Sequence, residues 1–146
     1  MNTDDILTAA LLIIVNDRDT GGNDLGTILG AVKAVKGHRK PDKWDECFTL
    51  HIPSNPRDPD TKVHNGTLNI NYYCPNYPDG NANTEKMGAV ISRLIYLFDD
   101  KWPDIPGYRL ADWSVKEPLG PFPNRDKPDK ESYSSVRIGF VVQRVN

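Results

Sequence analysis

The chain has 146 residues, a net charge of −2 and a mean hydropathy of −0.57, which together predict one soluble domain. The near-neutral charge gives no basic excess for phosphate binding as the main task and no acidic tail typical of disorder. No apolar run approaches the roughly 20 residues of a membrane span. The longest run, Ala9 to Val15, lacks the flanks of a signal peptide, so we expect a start in the cytoplasm and no membrane partner.

The first half of the chain predicts a helix, an ambiguous stretch and a strand. Asp4 to Val15 begins with two acids at the positive end of a helix dipole and continues with a wide apolar face. Leu25 to Val35 has helical spacing, but it leads to Pro41, and a residue before proline avoids helical geometry. We therefore predict a short helix that becomes extended near Lys33. Alternating residues then predict a strand over Glu46 to Ile52.

The second half contains the strongest patterns. Alternation predicts strands over Leu68–Cys74, Leu110–Lys116 and Val136–Val142. Between the first two, Thr84 to Phe98 predicts an amphipathic helix. Its apolar stripe consists of Met87, Val90, Ile91, Leu94, Ile95 and Phe98. The order of elements predicts an α+β fold, with an antiparallel sheet of about four strands packed by the N-terminal helix and the long central helix.

Glycine, proline and asparagine are concentrated in the connections between these elements. We predict a single domain over residues 1–146, with flexible loops at about 16–26, 53–66 and 117–131.

No recognisable catalytic or metal motif is present. Asp17 to Gly22 resembles the start of a calcium loop, but the position of the bidentate glutamate holds Ile28. His38, His51 and His64 lie far apart in the sequence, and the two cysteines, Cys47 and Cys74, form no CxxC pair or Cys/His cluster. Phosphate-loop, nucleophile-elbow and metalloprotease signatures are also missing. We expect no cofactor, no metal and no enzymatic activity.

Aromatic side chains cluster around the central helix. Tyr72, Tyr73 and Tyr77 precede it, and Trp102 and Tyr108 follow it. Aromatic residues among prolines are typical of protein interfaces. The same rings could instead close the core beneath long loops, and the sequence leaves both interpretations open.

Three segments carry a resemblance to a known class of proteins. They are Gly37–Pro41 (GHRKP), Asn69–Asn76 (NINYYCPN) and Asn83–Glu85, which opens the central helix. Together with the order of elements they resemble the tail terminator family of phages and prophages, also called tail completion or minor tail proteins. The resemblance implies an N-terminal helix, a β-hairpin, a central helix and a closing pair of strands.

The resemblance also implies a structural function. Such proteins assemble as a homohexameric ring on the finished tail tube, stop its polymerisation and join the tail to the head. The implied partners are other copies of the chain, the tail tube protein and a head-completion or connector protein, and DNA passes without sequence readout. The implied location is the host cytoplasm during assembly and then the tail or neck of the virion.

Within this picture, the loops are expected to contact partners. The hypothetical interface residues are Arg57, Asp58, Lys62, Tyr77, Trp102, Phe122 and Arg125. Lys33, Lys36, Arg39 and Lys40 form the single basic cluster of the sequence. They could line a lumen that faces DNA, although a solvated surface is the simpler interpretation. The alternatives to a tail terminator are another head–tail neck or connector protein, a small enzyme of unrecognised class, or a cellular adaptor domain.

Overall fold

A computed structural model describes residues 3–53, 63–100 and 102–145. Helices α1, α2 and α3 span Thr3–Val15, Leu25–Leu29 and Thr84–Asp100. Strands β1 to β6 span Ala34–Lys36, Cys47–His51, Val63–Pro75, Tyr108–Val115, Leu119–Pro123 and Glu131–Arg144. The ambiguous stretch is therefore a short helix followed by a short strand, as the sequence predicted.

The strands form a mixed, mostly antiparallel sheet in the order β1-β2-β3-β6-β4. β1 runs parallel to β2, and the other pairs are antiparallel. β3 and β6 make the long central ribbon, paired from Val63↔Gln143 to Pro75↔Glu131. The predicted α+β class is confirmed, and the described residues contain six strands where the sequence predicted about four.

One additional strand lies in a segment that was predicted to be a loop. β5, within 117–131, pairs with the first half of β6 at Leu119↔Ser135 and Phe122↔Tyr133, beside β4 on the same edge. Its prolines obscure the strand pattern in the sequence. An edge strand tolerates them because a backbone nitrogen that faces away from the neighbouring strand needs no hydrogen to donate.

The core lies between the helices and one face of the sheet. The central strands place large side chains on this face: Phe48, Leu50, Leu68, Ile70, Tyr72, Val136, Ile138 and Phe140. On α3, the predicted stripe is buried except for the half-buried Ile95, and Leu97 joins it. Burial of such side chains drives folding at about 1.5–3 kcal/mol each before chain entropy is counted.

Asp17 connects the segment 16–26 to α3. Its carboxylate accepts hydrogen bonds from Arg93 Nε at 2.9 Å, from Arg93 Nη2 at 2.7 Å and from the backbone nitrogen of Leu25 at 2.9 Å. This residue stood first in the calcium-like pattern, and its oxygens bind a guanidinium instead. The segment, which was predicted to be a flexible loop, therefore has defined contacts with the rest of the fold.

In the described part of the chain, no helix has both the length and the apolar character that a membrane span requires.

Candidate interaction surfaces

The second face of the sheet carries polar side chains. Because paired residues point the same way across a sheet, its rows follow from the register. One row is Thr49–Asn71–Ser135, and the next is Cys47–Tyr73–Tyr133. These residues alternate with those that pack against the helices, so this face carries no helix.

A groove crosses one end of this face. The side chains that line its larger cavity, of about 440 Å³, include His38, His51, Asn71, Tyr73, Phe122, Arg125 and Tyr133. We call these seven residues the polar groove. A smaller cavity of about 310 Å³ adjoins it and shares His38, Tyr73 and Arg125. The groove therefore lies between the β1–β2 connection on one side and β5 with the following turn on the other.

An ion pair closes the floor of the smaller cavity. Lys40 Nζ lies 3.4 Å from Glu131 Oε2 and donates to the backbone oxygen of Trp44 at 2.6 Å. Lys40 was predicted to line a DNA-facing lumen. Its side chain is only 4% exposed, so that prediction is wrong, because the carboxylate on β6 holds the ammonium inside the fold.

The two histidines of the groove adjoin each other, although the sequence separates them by a strand. The rings of His38 and His51 have centroids 6.1 Å apart in an edge arrangement. Burial lowers the pKa of His51, and the neighbouring His38 lowers it further. The fold therefore brings together two of the three histidines that lie far apart in the sequence.

Three aromatic rings form a ladder along the groove. The centroid of Tyr133 lies 5.2 Å from that of Tyr73 and 5.5 Å from that of Phe122. Burial raises the pKa of Tyr73, and Tyr133 adds to the effect. Burial also raises the pKa of Cys47, at the end of the same row, to about 11, so its thiol is protonated and inert at neutral pH.

Polar atoms without partners lie in the row beside the groove. Within the described ranges, His51 Nδ1, Asn69 Oδ1 and Arg137 Nε are buried and make no hydrogen bond. They occupy neighbouring positions on β2, β3 and β6. A buried polar group without a partner lowers the stability of the fold by about 1–3 kcal/mol. A ligand that supplied partners to these atoms would recover part of that loss.

Exposed apolar side chains lie near both ends of the β3–β6 ribbon, while Leu12 and Tyr96 are exposed on the helices and Leu119 on β5. At one end lie Val63 and Val145, and the connection with Trp102 leads to β4 there. At the other end lie Tyr77, which follows β3, and Phe122 on β5. Aromatic residues are enriched at protein interfaces, so these positions are candidates for contact with partners.

The structure places the other predicted site residues as follows. Tyr77, Trp102, Phe122 and Arg125 are exposed, and Phe122 and Arg125 meet in the polar groove. Lys33, Lys36 and Arg39 are exposed, and Lys36 pairs with Asp4 at 2.8 Å. Arg57, Asp58 and Lys62 lie outside the described residues.

Sequence reasoning missed most of the polar groove. Alternation along β2 and β3 correctly places Tyr72 in the core and His51, Asn71 and Tyr73 on the opposite face. No sequence signal indicates that His38 joins them in a groove. Among the described residues, no three histidine, cysteine, aspartate or glutamate side chains converge as a metal site would require.

Comparison with known proteins gives evidence on the fold. No family model matches the chain, and no curated protein matches it. A solved structure whose name states no function aligns with 100% of this chain and 99% of its own, at 16% identity and a TM-score of 0.53. At this identity the likeness shows a shared fold alone.

Proposed function

We propose that the chain is a structural protein of the tail terminator type, which forms a ring and connects two different protein partners. The observation that carries the proposal is that the long β3–β6 ribbon has exposed apolar residues near each end, Val63 and Val145 at one and Tyr77 and Phe122 at the other. The order of helices and strands, which follows the tail terminator pattern, supports it.

The β3–β6 ribbon supplies a suitable span. β3 has 13 residues, which at about 3.3 Å each extend for about 40 Å. The end with Trp102 and the end with Tyr77 are too far apart for one small partner to cover both. A protein between a tail tube and a head connector needs two such surfaces, one for each partner.

The sheet also has the edges that a ring requires. In the described part of the chain, β1 forms one edge and β4 with β5 forms the other, so the two edges lie on opposite sides of the sheet. A ring forms when one surface of a copy meets a different surface of the next copy. The low net charge permits such self-association without strong repulsion.

The proposed role is mechanical. The cysteine nearest the polar groove, Cys47, has its pKa raised by burial to about 11, so it is not an activated nucleophile. The basic residues that stay exposed, Lys33, Lys36 and Arg39, remain candidates for a lumen that DNA passes through.

The experiment measures assembly and tests the two ends separately. Native mass spectrometry and electron microscopy would follow the chain alone and with the tail tube protein of the same particle. A ring, formed alone or on the tube, is expected. A chain that stays monomeric in both conditions would contradict the proposal, and a ring that binds only head connectors would favour a different neck component.

Two matched variants assign the partners. Trp102→Ser removes the exposed ring of the α3–β4 connection, which joins the sheet where Tyr108 pairs with Arg144, and Tyr77→Ser removes the exposed ring that follows the other end of β3. Each is expected to weaken one partner interaction and to leave the other intact. Tyr96→Ser is the control, because Tyr96 is 53% exposed on α3, away from both ends. Equal losses in all three variants would show that the ends have no separate roles.

A further inference from the structure

We infer that the polar groove binds a carboxylate-bearing, extended segment of another protein. The inference concerns the helix-free face of the sheet, and it does not depend on ring formation. It follows from the hydrogen-bonding capacity of the groove, its charge and its aromatic wall.

The groove has unused donors. The side chains of His38, His51 and Arg125 make no hydrogen bond or ion pair to the described residues, although all three line the larger cavity. His51 Nδ1 is buried as well as unpartnered. The guanidinium only donates hydrogen bonds and each imidazole can add one N–H, so a ligand that accepts hydrogen bonds suits this cavity.

The amide and carboxylate oxygens beside the groove are already in use. Asn71 Oδ1 accepts from Ser135 Oγ, which leaves the amide nitrogen of Asn71 as a further donor. Glu131 is held by Asn124 and Lys40 in the adjoining cavity. Among the described residues, no aspartate or glutamate lines the larger cavity. An oxyanion would therefore find several donors and no competing carboxylate.

The charge distribution favours a carboxylate over nucleic acid. Binding a phosphate backbone requires many uncompensated cations. Among the described residues, Arg125 is the one permanently charged side chain of the larger cavity. At the adjoining cavity, Arg39 and Lys127 are balanced by Asp42 and Asp126. A polyanion finds no excess of cations there, while a single carboxylate can pair with Arg125.

The aromatic ladder specifies what accompanies the carboxylate. Phe122 is 40% exposed and extends the stack of Tyr73 and Tyr133 to the rim of the groove. An apolar or aromatic side chain next to an acidic one would pack on this ladder. The ligand class is therefore an extended acidic segment with an aromatic residue beside the acid.

The test is a titration of the ¹⁵N-labelled full chain, followed by NMR. The probe is a capped peptide of alternating glutamate and tyrosine. We expect saturable shifts at His38, His51, Asn71 and Arg125 below about 1 mM peptide, since short linear ligands pay a large ordering cost. The same peptide with glutamine for glutamate and a single-stranded oligothymidylate are the two comparison ligands.

Arg125→Glu is the decisive variant. Its side chain is exposed and makes no contact that the fold needs, so the variant should fold, as the spectrum itself would verify. Charge reversal is expected to lower the affinity for the glutamate peptide by about tenfold or more. The control is Arg144→Glu, at an exposed arginine at the far end of β6, and it should leave that affinity unchanged.

Four results would overturn the inference. They are no saturable binding at 1 mM or above, equal binding of the glutamine peptide, preferential binding of oligothymidylate, and equal effects of the two arginine variants. A monomeric chain that passes the test would leave this inference standing and would count against the proposed ring.

Discussion

Among the charged residues whose ion pairs the structure describes, Asp17 should be the one whose replacement by alanine lowers stability most. The side chain of Asp17 is 2% exposed and that of Arg93 is 12% exposed, and two hydrogen bonds of 2.7 and 2.9 Å join them. Alanine would leave the guanidinium without its counter-charge and the buried backbone nitrogen of Leu25 without an acceptor. Breaking a buried pair from one side typically costs about 3–5 kcal/mol. We expect about 3 kcal/mol here, because Arg93 keeps some access to water.

The assay is urea unfolding followed by circular dichroism. The control is Asp4→Ala, which removes a partner of Lys36 at side-chain exposures of 34% and 59%, where an ion pair contributes about 0–1 kcal/mol. Asp17→Ala with Arg93→Met should recover part of the loss, since no charge is then left uncompensated. If Asp17→Ala and Asp4→Ala lower the free energy of unfolding equally, the reasoning is refuted.

Three further predictions concern the core and the polar face. Gly66→Ala should lower the free energy of unfolding by about 1–3 kcal/mol, because the new methyl would lie 2.8 Å from Cζ of the buried Phe140. Gly88→Ala, in open space on α3, should instead raise it by about 0.5–1 kcal/mol in the same assay. Cys47, with its pKa raised to about 11, should react with a thiol reagent at pH 8 only as fast as the domain unfolds, and rapid labelling of the folded chain would contradict its burial. Burial lowers the pKa of His51, so the unfolded chain binds the proton more readily; stability should fall as pH drops below about 6.5, and His51→Gln should flatten that dependence, whereas an unchanged slope would exclude His51 as its source.

The resemblance and the structure bear on function in different ways. The tail terminator resemblance came from three short segments and the order of elements. The structure confirms the α+β class of fold, and it shows exposed apolar residues near each end of the ribbon. The ring, the lumen and the partners are testable proposals, and the assembly experiment addresses the first of them directly.

The central elements were predictable because their signals are local. The stripe on α3 repeats with the helical period, and β3 and β6 alternate over enough residues to exclude a helix. One-sided burial then determined the class of fold, since an amphipathic helix and two half-apolar strands can bury their faces only against each other.

The sequence by itself therefore determined the helices, the central strands and the face that each one buries. The tertiary structure alone decided the features whose partners are distant in the chain. β5 is a strand because it pairs with β6, and Lys40 is buried because its ammonium forms an ion pair with Glu131 on β6. His38 meets His51 only after β1 and β2 pair. Sequence periodicity indicates which side of a helix or strand is apolar. A groove depends on which elements pack against each other, and long-range packing determines that.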